Sequence, residues 1–129
     1  MPVLLSELIR TGGKMKKWKS RVLFHGGSIP IPSYYQKGKI EIKADVFEFK
    51  AGAKVAKYNI DIRFPLTDIY TVKAKEKKYY SSTAYMLIIE YKGQNGSRES
   101  LELEIRSFGR RGRAQAIARL WADRLTSKA

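Results

Sequence analysis

The chain of 129 residues carries a formal net charge of +14 and contains no cysteine, which excludes a disulfide framework, a thiolate metal site and a cysteine nucleophile. Hydrophobic residues make up 43% of the chain, too many for a disordered protein, and the length predicts a single domain over residues 1–129. No apolar run approaches the ~20 residues of a spanning helix. We therefore expect a cytoplasmic protein for which any contact with a membrane is peripheral.

Seven segments are rich in β-branched and aromatic residues or alternate between apolar and polar residues, which predicts β-strands. They cover residues 16–25, 39–43, 47–49, 58–64, 69–72, 84–92 and 98–106. The apolar positions change phase between Ile42 and Phe47, so a turn or bulge is predicted near residues 44–46. Asn95 and Gly96 predict a tight hairpin turn, and the lysine-rich residues 73–78 are predicted to be a charged connection.

The apolar period changes to that of a helix after Gly109 and Gly112. Five residues then fall on one face: Ala114, Ile117, Ala118, Trp121 and Leu125. One amphipathic helix over roughly residues 112–126 is therefore predicted to end the chain. The predicted fold class is mainly β (α+β), with about seven antiparallel strands closed by this single C-terminal helix.

The positive charge is concentrated in two spans that contain no acid. Residues 10–21 hold six cations and residues 106–113 hold four. A positive field of this kind attracts phosphate-rich partners, although an ordinary lysine run is often only a solvated face that keeps a protein soluble. The predicted anion-binding residues are Lys14, Lys16, Lys17, Lys19, Arg21, Arg106, Arg110, Arg111 and Arg113.

Catalytic and metal-binding residues are sparse in this sequence. The single histidine, His25, follows a predicted strand and precedes two glycines, which favours a structural or surface role. The acids Glu41, Glu48, Glu102 and Glu104 alternate with apolar residues, so they are expected on the outer face of strands and in solvent rather than paired for acid–base work. We expect no enzymatic activity, no bound metal and no cofactor.

Three segments resemble the pleckstrin-homology-like (PH-like) superfamily, in its GRAM and bacterial or archaeal PH-like branches. They are the strand, turn and strand over residues 38–49, the proline, leucine, acid and isoleucine segment over residues 64–72, and the closing helix around residues 117–121. The resemblance covers roughly residues 16–126 and implies a PH-like barrel whose open end is plugged by Trp121. Residues 17–21 are also similar to the basic strand with which phosphoinositide-binding PH domains hold lipid phosphates, but here a proline-rich loop follows.

The resemblance implies an interaction module and leaves its partner open. In a PH-like barrel the first and last strands lie near the same seam, so the two basic spans are expected to form one patch. That patch would dock to anionic lipid headgroups or to an acidic protein surface. A nucleic-acid-binding protein using the same patch is an alternative, although no base-reading motif is visible. A second alternative is a signalling or motility adaptor that binds protein through an uncharged surface.

Overall fold

The computed structural model describes residues 18–29, 36–52, 59–80, 82–106 and 111–127, with side chains from Arg113 onward in the last range. Within these ranges the chain forms seven strands, one short 3₁₀ helix at Leu66–Asp68 and one α-helix. The strands are β1 Lys19–Gly27, β2 Gln36–Lys43, β3 Val46–Ala51, β4 Ile60–Pro65, β5 Ile69–Lys78, β6 Thr83–Lys92 and β7 Arg98–Arg106; the helix is α1 Arg111–Ser127.

All seven strands belong to one antiparallel sheet with the order β4-β3-β2-β1-β7-β6-β5. Strand β1 lies between β2 and β7, and it is the element that joins the four N-terminal strands to the three C-terminal ones. In the described part of the chain no ladder joins β4 to β5, so the sheet is not closed into a complete barrel. The predicted fold class, mainly β with seven antiparallel strands and one C-terminal helix, is confirmed, with a loose barrel.

Two local predictions have different outcomes. Ala44 and Asp45 have φ values of 48° and 62° and form the two-residue turn between Lys43 and Val46, which pair with each other; the predicted turn near residues 44–46 is confirmed. The predicted connection over residues 73–78 is wrong, because these residues continue β5 and pair with β6 as far as Lys78. They are exposed in this edge strand, so burial imposes no apolar alternation on them.

The core lies between the inner face of the sheet and α1. Trp121 is fully buried, and its ring meets Trp18 at 5.2 Å and Phe47 at 6.2 Å between centroids, both edge to face. Its indole Nε1–H donates to Oγ of Ser20 at 2.8 Å, so the one polar atom of the side chain is satisfied. Since Ser20 lies on β1, the helix is anchored directly to the central strand.

Replacing Trp121 with alanine is expected to lower the free energy of unfolding by about 3 to 5 kcal/mol, because a large cavity opens and two aromatic contacts are lost. Urea denaturation followed by far-UV circular dichroism measures the change. The control is Arg119→Ala, an exposed residue on the same helix, which should stay within about 0.5 kcal/mol of wild type. A similarly small change for Trp121→Ala would contradict the packing described here.

Candidate anion-binding site

Strand β1 brings basic residues from both of its neighbours onto one face of the sheet. Arg21 on β1 is directly opposite Arg106 on β7 and Lys39 on β2, and Lys39 is opposite Lys50 on β3. Directly paired residues share a face, so these four side chains form a continuous line, here called the basic row. Across four strands spaced ~4.8 Å apart, the row extends about 14 Å.

Burial of the opposite face determines which way the row points. Val22 and Phe24 on β1 are almost completely buried, as are Leu103 and Ile105 on β7. Side chains of neighbouring residues in a strand point to opposite faces. Arg21, next to the buried Val22, therefore points outward, and so does Arg106, next to the buried Ile105. A shift of one residue in either strand would bury charges in the core, so the position of the row is strongly constrained.

A groove of about 410 Å³ lies at the centre of the basic row. The described residues that line it are Arg21, Val22, Leu23, Lys37, Gly38, Lys39 and Arg106, and none of these is acidic or aromatic. Lys37 is opposite Leu23, so it shares the outer face with the row. The volume falls within the range of ~300 to 1,000 Å³ that is usual for small-ligand sites.

One acid lies beside the groove, and it has two partners. Oε1 of Glu104 is 2.8 Å from Nε2 of His25, which donates the hydrogen bond, and Oε2 is 3.6 Å from Nη1 of Arg106. The ladder between β1 and β7 shifts register between Phe24 and Gly26, and this bulge at His25 directs its side chain, only 3% exposed, onto Glu104. The two carboxylate oxygens of Glu104 therefore contact different partners, a buried histidine and one arginine of the row.

Three other cations on the outer face lie next to an acid. Lys43 is 3.8 Å from Glu41 and Arg63 is 3.4 Å from Asp61. Arg98 donates a 2.9 Å hydrogen bond to Glu90, which, together with a second hydrogen bond from Thr71, holds the pKa of Glu90 below its ordinary value. Local charge compensation is thus common on this face, and it reaches both ends of the basic row, where Arg106 lies 3.6 Å from Glu104 and Lys50 lies 4.0 Å from Glu48.

Lys37 and Lys39 differ from the cations that lie beside an acid. Neither lysine forms an ion pair with an acid in the part of the chain that the structure describes. Like charges directly opposite each other in a sheet are destabilising, and Lys39 has a cation on both sides. An anion bound between these strands would remove that repulsion, which makes the groove the strongest candidate site in the described residues.

The nine residues predicted to bind anions have different outcomes. Lys14, Lys16, Lys17 and Arg110 lie outside the described residues, as does the side chain of Arg111. Arg21 and Arg106 are brought together as direct partners across β1 and β7. Lys19 lies on the same face of β1, but opposite Glu41. Arg113 is exposed on α1, a different element from the row.

Sequence reasoning missed Lys37, Lys39 and Lys50 as site residues. The alternation of β2 already placed Lys39 on the outer face, since Ile40 and Ile42 were expected inside. What was missing was the register, because the connection from β1 to β2 is too long to fix which residues face each other. The signal that could have found the site is the combination of outward-facing lysines on β2 and β3 with their pairing to the basic β1.

Comparison of the chain with protein-family models, with curated proteins and with solved structures finds no match. No α-helix in the described ranges is both long enough and apolar enough to cross a membrane. Among the described side chains, no group of three or more His, Asp or Glu residues is arranged to hold a metal ion. The function must therefore be inferred from the geometry and charge of the chain itself.

Replacing Lys39 with glutamate is expected to stabilise the fold at low salt by about 0.2 to 1 kcal/mol, because two like-charge pairs become opposite-charge pairs. The gain should shrink as added salt screens these exposed groups. Chemical denaturation at two salt concentrations measures both effects.

The matched control is Lys43→Glu, on the same strand and with the same change in charge. Lys43 already lies beside Glu41, so its reversal should not stabilise the protein. Equal stabilisation by both variants would mean that the large net charge, rather than the basic row, is the source of repulsion.

Proposed function

We propose that this chain is a non-catalytic PH-like interaction module that docks to an anionic lipid surface through the basic row and its groove. The observation that carries the proposal is the direct juxtaposition of Arg106, Arg21, Lys39 and Lys50 on four neighbouring strands. Such a row lowers the stability of the free protein. It becomes favourable when phosphate groups bind along it, and the bound state then gains stability from the ligand.

The residue types in the groove suit phosphate recognition. The guanidinium groups of Arg21 and Arg106 can each hold two phosphate oxygens in a bidentate arrangement. Lys37 and Lys39 add point charges on flexible stems, which can follow headgroups of different shape. These four residues form one side of a groove that is large enough for a phosphorylated headgroup.

The groove favours lipid over single-stranded nucleic acid. Leu23 contributes apolar surface between the basic side chains, and none of the described residues that line the groove has an aromatic ring on which a base could stack. A protein that binds anionic lipid needs cations that contact the phosphates and apolar surface beside those cations. The groove has both. An acidic protein surface could meet the same charges, and binding to it is one outcome of the experiment below.

The PH-like assignment is part of the proposal. It is supported by the order of seven antiparallel strands followed by one C-terminal helix, and by the buried Trp121 that attaches this helix to the sheet. A module of this kind would work in the cytoplasm and bind the membrane peripherally. The basic row would then supply the electrostatic attraction to the anionic cytoplasmic leaflet.

The double reversal Arg21→Glu with Lys39→Glu is expected to abolish binding to vesicles that contain phosphatidylserine. Each cation near an anionic surface contributes about 1 kcal/mol, so losing two and adding two repulsive charges should weaken binding by as much as about a thousandfold. Co-sedimentation at about 150 mM salt measures this, since longer-range surface charge is then screened. Neutral phosphatidylcholine vesicles, DNA and RNA are measured in parallel.

The matched control reverses Lys92 and Arg119, two exposed cations on β6 and α1, and so changes the net charge equally. Equal losses from the two double variants would show that total charge is measured and no site exists. Preferential loss of DNA or RNA binding would move the site to nucleic acid. No binding of the wild-type protein to anionic vesicles would overturn the lipid proposal and favour an acidic protein partner or an uncharged interface.

A further inference from the structure

The tip of the β5–β6 hairpin exposes two adjacent aromatic rings. Tyr79 is 41% exposed, and Tyr80 has the full exposure of an unpacked side chain, at 110%. The backbone N–H of Tyr79 donates to the carbonyl oxygen of Ser82 at 2.8 Å, so a hydrogen bond closes the turn beneath them. The rings therefore lie at the end of two long strands, next to a backbone hydrogen bond that joins Tyr79 to Ser82.

The strand that leads to this tip carries exposed positive charge. Lys75, Lys77 and Lys78 are exposed on β5, and Nζ of Lys77 lies 5.8 Å from the ring centroid of Tyr79. The acid among them, Glu76, accepts a 3.4 Å hydrogen bond from Gln115 of α1. Because Glu76 turns towards the helix, its carboxylate is directed away from the face that carries Lys75 and Lys77.

The register places this tip beside the end of the basic row. Lys75 is opposite Met86, which is opposite Glu104 on β7. Lys75 and Lys77 therefore share the outer face with Glu104 and Arg106, and Lys77 lies towards the strand end at which Arg106 is found. The aromatic tip extends past that end, so one approaching surface can meet the row and the tip together.

We propose that the β5–β6 hairpin tip is a second lipid contact, in which Tyr79 and Tyr80 enter the interfacial layer of an anionic bilayer while Lys75 and Lys77 bind headgroup phosphates. Tyrosine suits this layer because its ring is apolar and its hydroxyl stays hydrated. Lysine stems lie along apolar surface while the ammonium group reaches the phosphates. This inference rests on the lipid partner of the proposed function, but on different residues.

The lysines alone would have a simpler explanation. β5 is an edge strand, and lysines on an edge strand prevent pairing with another chain. That explanation does not extend to Tyr79 and Tyr80, which lie beyond the last ladder pair, Lys78 with Thr83, and are 41% and 110% exposed. A protruding tip is also a poor platform for stacking bases, which usually lie in a basic groove, whereas it can enter a planar interface without rearrangement of the sheet.

The double variant Tyr79→Ser with Tyr80→Ser is expected to weaken binding to phosphatidylserine vesicles about tenfold, because the loss of interfacial aromatic surface weakens partitioning. The matched control is Tyr70→Ser, since Tyr70 is 44% exposed on the same strand but lies under the guanidinium group of Arg98. It should bind vesicles as wild type does. The unfolding transition of each variant is recorded first, to confirm that it folds.

A second measurement leaves both the row and Tyr79 intact. The chain contains no cysteine, so Tyr80→Cys provides a single site for an environment-sensitive fluorophore. On addition of anionic vesicles the label at residue 80 should shift to shorter wavelength and be quenched by spin-labelled lipid. The same label at Asn95→Cys, in the exposed β6–β7 turn, should do neither.

The outcomes separate this inference from the proposed function. Loss of vesicle binding in the Arg21 and Lys39 variant, with wild-type binding in the tyrosine variant and an unshifted label, would overturn the inference and leave the proposed function standing. Loss in the tyrosine variant alone, with a shifted label, would support the tip and overturn the basic row as the site. A tyrosine variant that loses only DNA or RNA binding would overturn the lipid contact in favour of stacking.

Discussion

The pairing of β1 with both β2 and β7 is the constraint on which the rest of the structure depends. This strand holds the two groups of strands together, and its Ser20 accepts the hydrogen bond from the indole of Trp121. The apolar face of β1 sets the register of both neighbours. Arg21, on the opposite face, is consequently placed between Arg106 and Lys39, so the same pairing builds the core and the candidate site.

The basic row shows a conflict between stability and binding. Cross-strand cations repel each other when no anion is present, whereas Lys43, Arg63 and Arg98 on the same face each lie beside an acid. Functional sites often retain interactions that lower the stability of the fold, because the remainder of the fold is stable enough to tolerate them. A fold anchored by a buried Trp121 and a continuous seven-stranded sheet can tolerate the like-charge pairs on either side of Lys39.

The edge strand β5 is the element that sequence patterns predicted least well. Alternation of apolar with polar residues depends on the burial of one face, so it identified β2 and β7, whose apolar faces contact the core. The second half of β5 is exposed on both faces, so its residues 73–78 show no alternation of apolar with polar residues even though they pair with β6. The sequence also did not show that the tyrosines at its end are exposed, because an aromatic residue is more often part of the core than of the surface.

The sequence by itself determined the strand content, the turn at Ala44 and Asp45, the closing helix and the buried face that includes Trp121, because each depends on local propensity and on periodic burial. The PH-like resemblance led to the expectation that the two basic spans form one patch, and within the described residues Arg21 is paired with Arg106. Only the tertiary structure decided which cations meet, since the partner of Arg21 depends on the register between strands that are distant in the chain. For that reason the site includes Lys37, Lys39 and Lys50, which sequence reasoning missed, whereas Arg113 lies on the helix, away from the basic row.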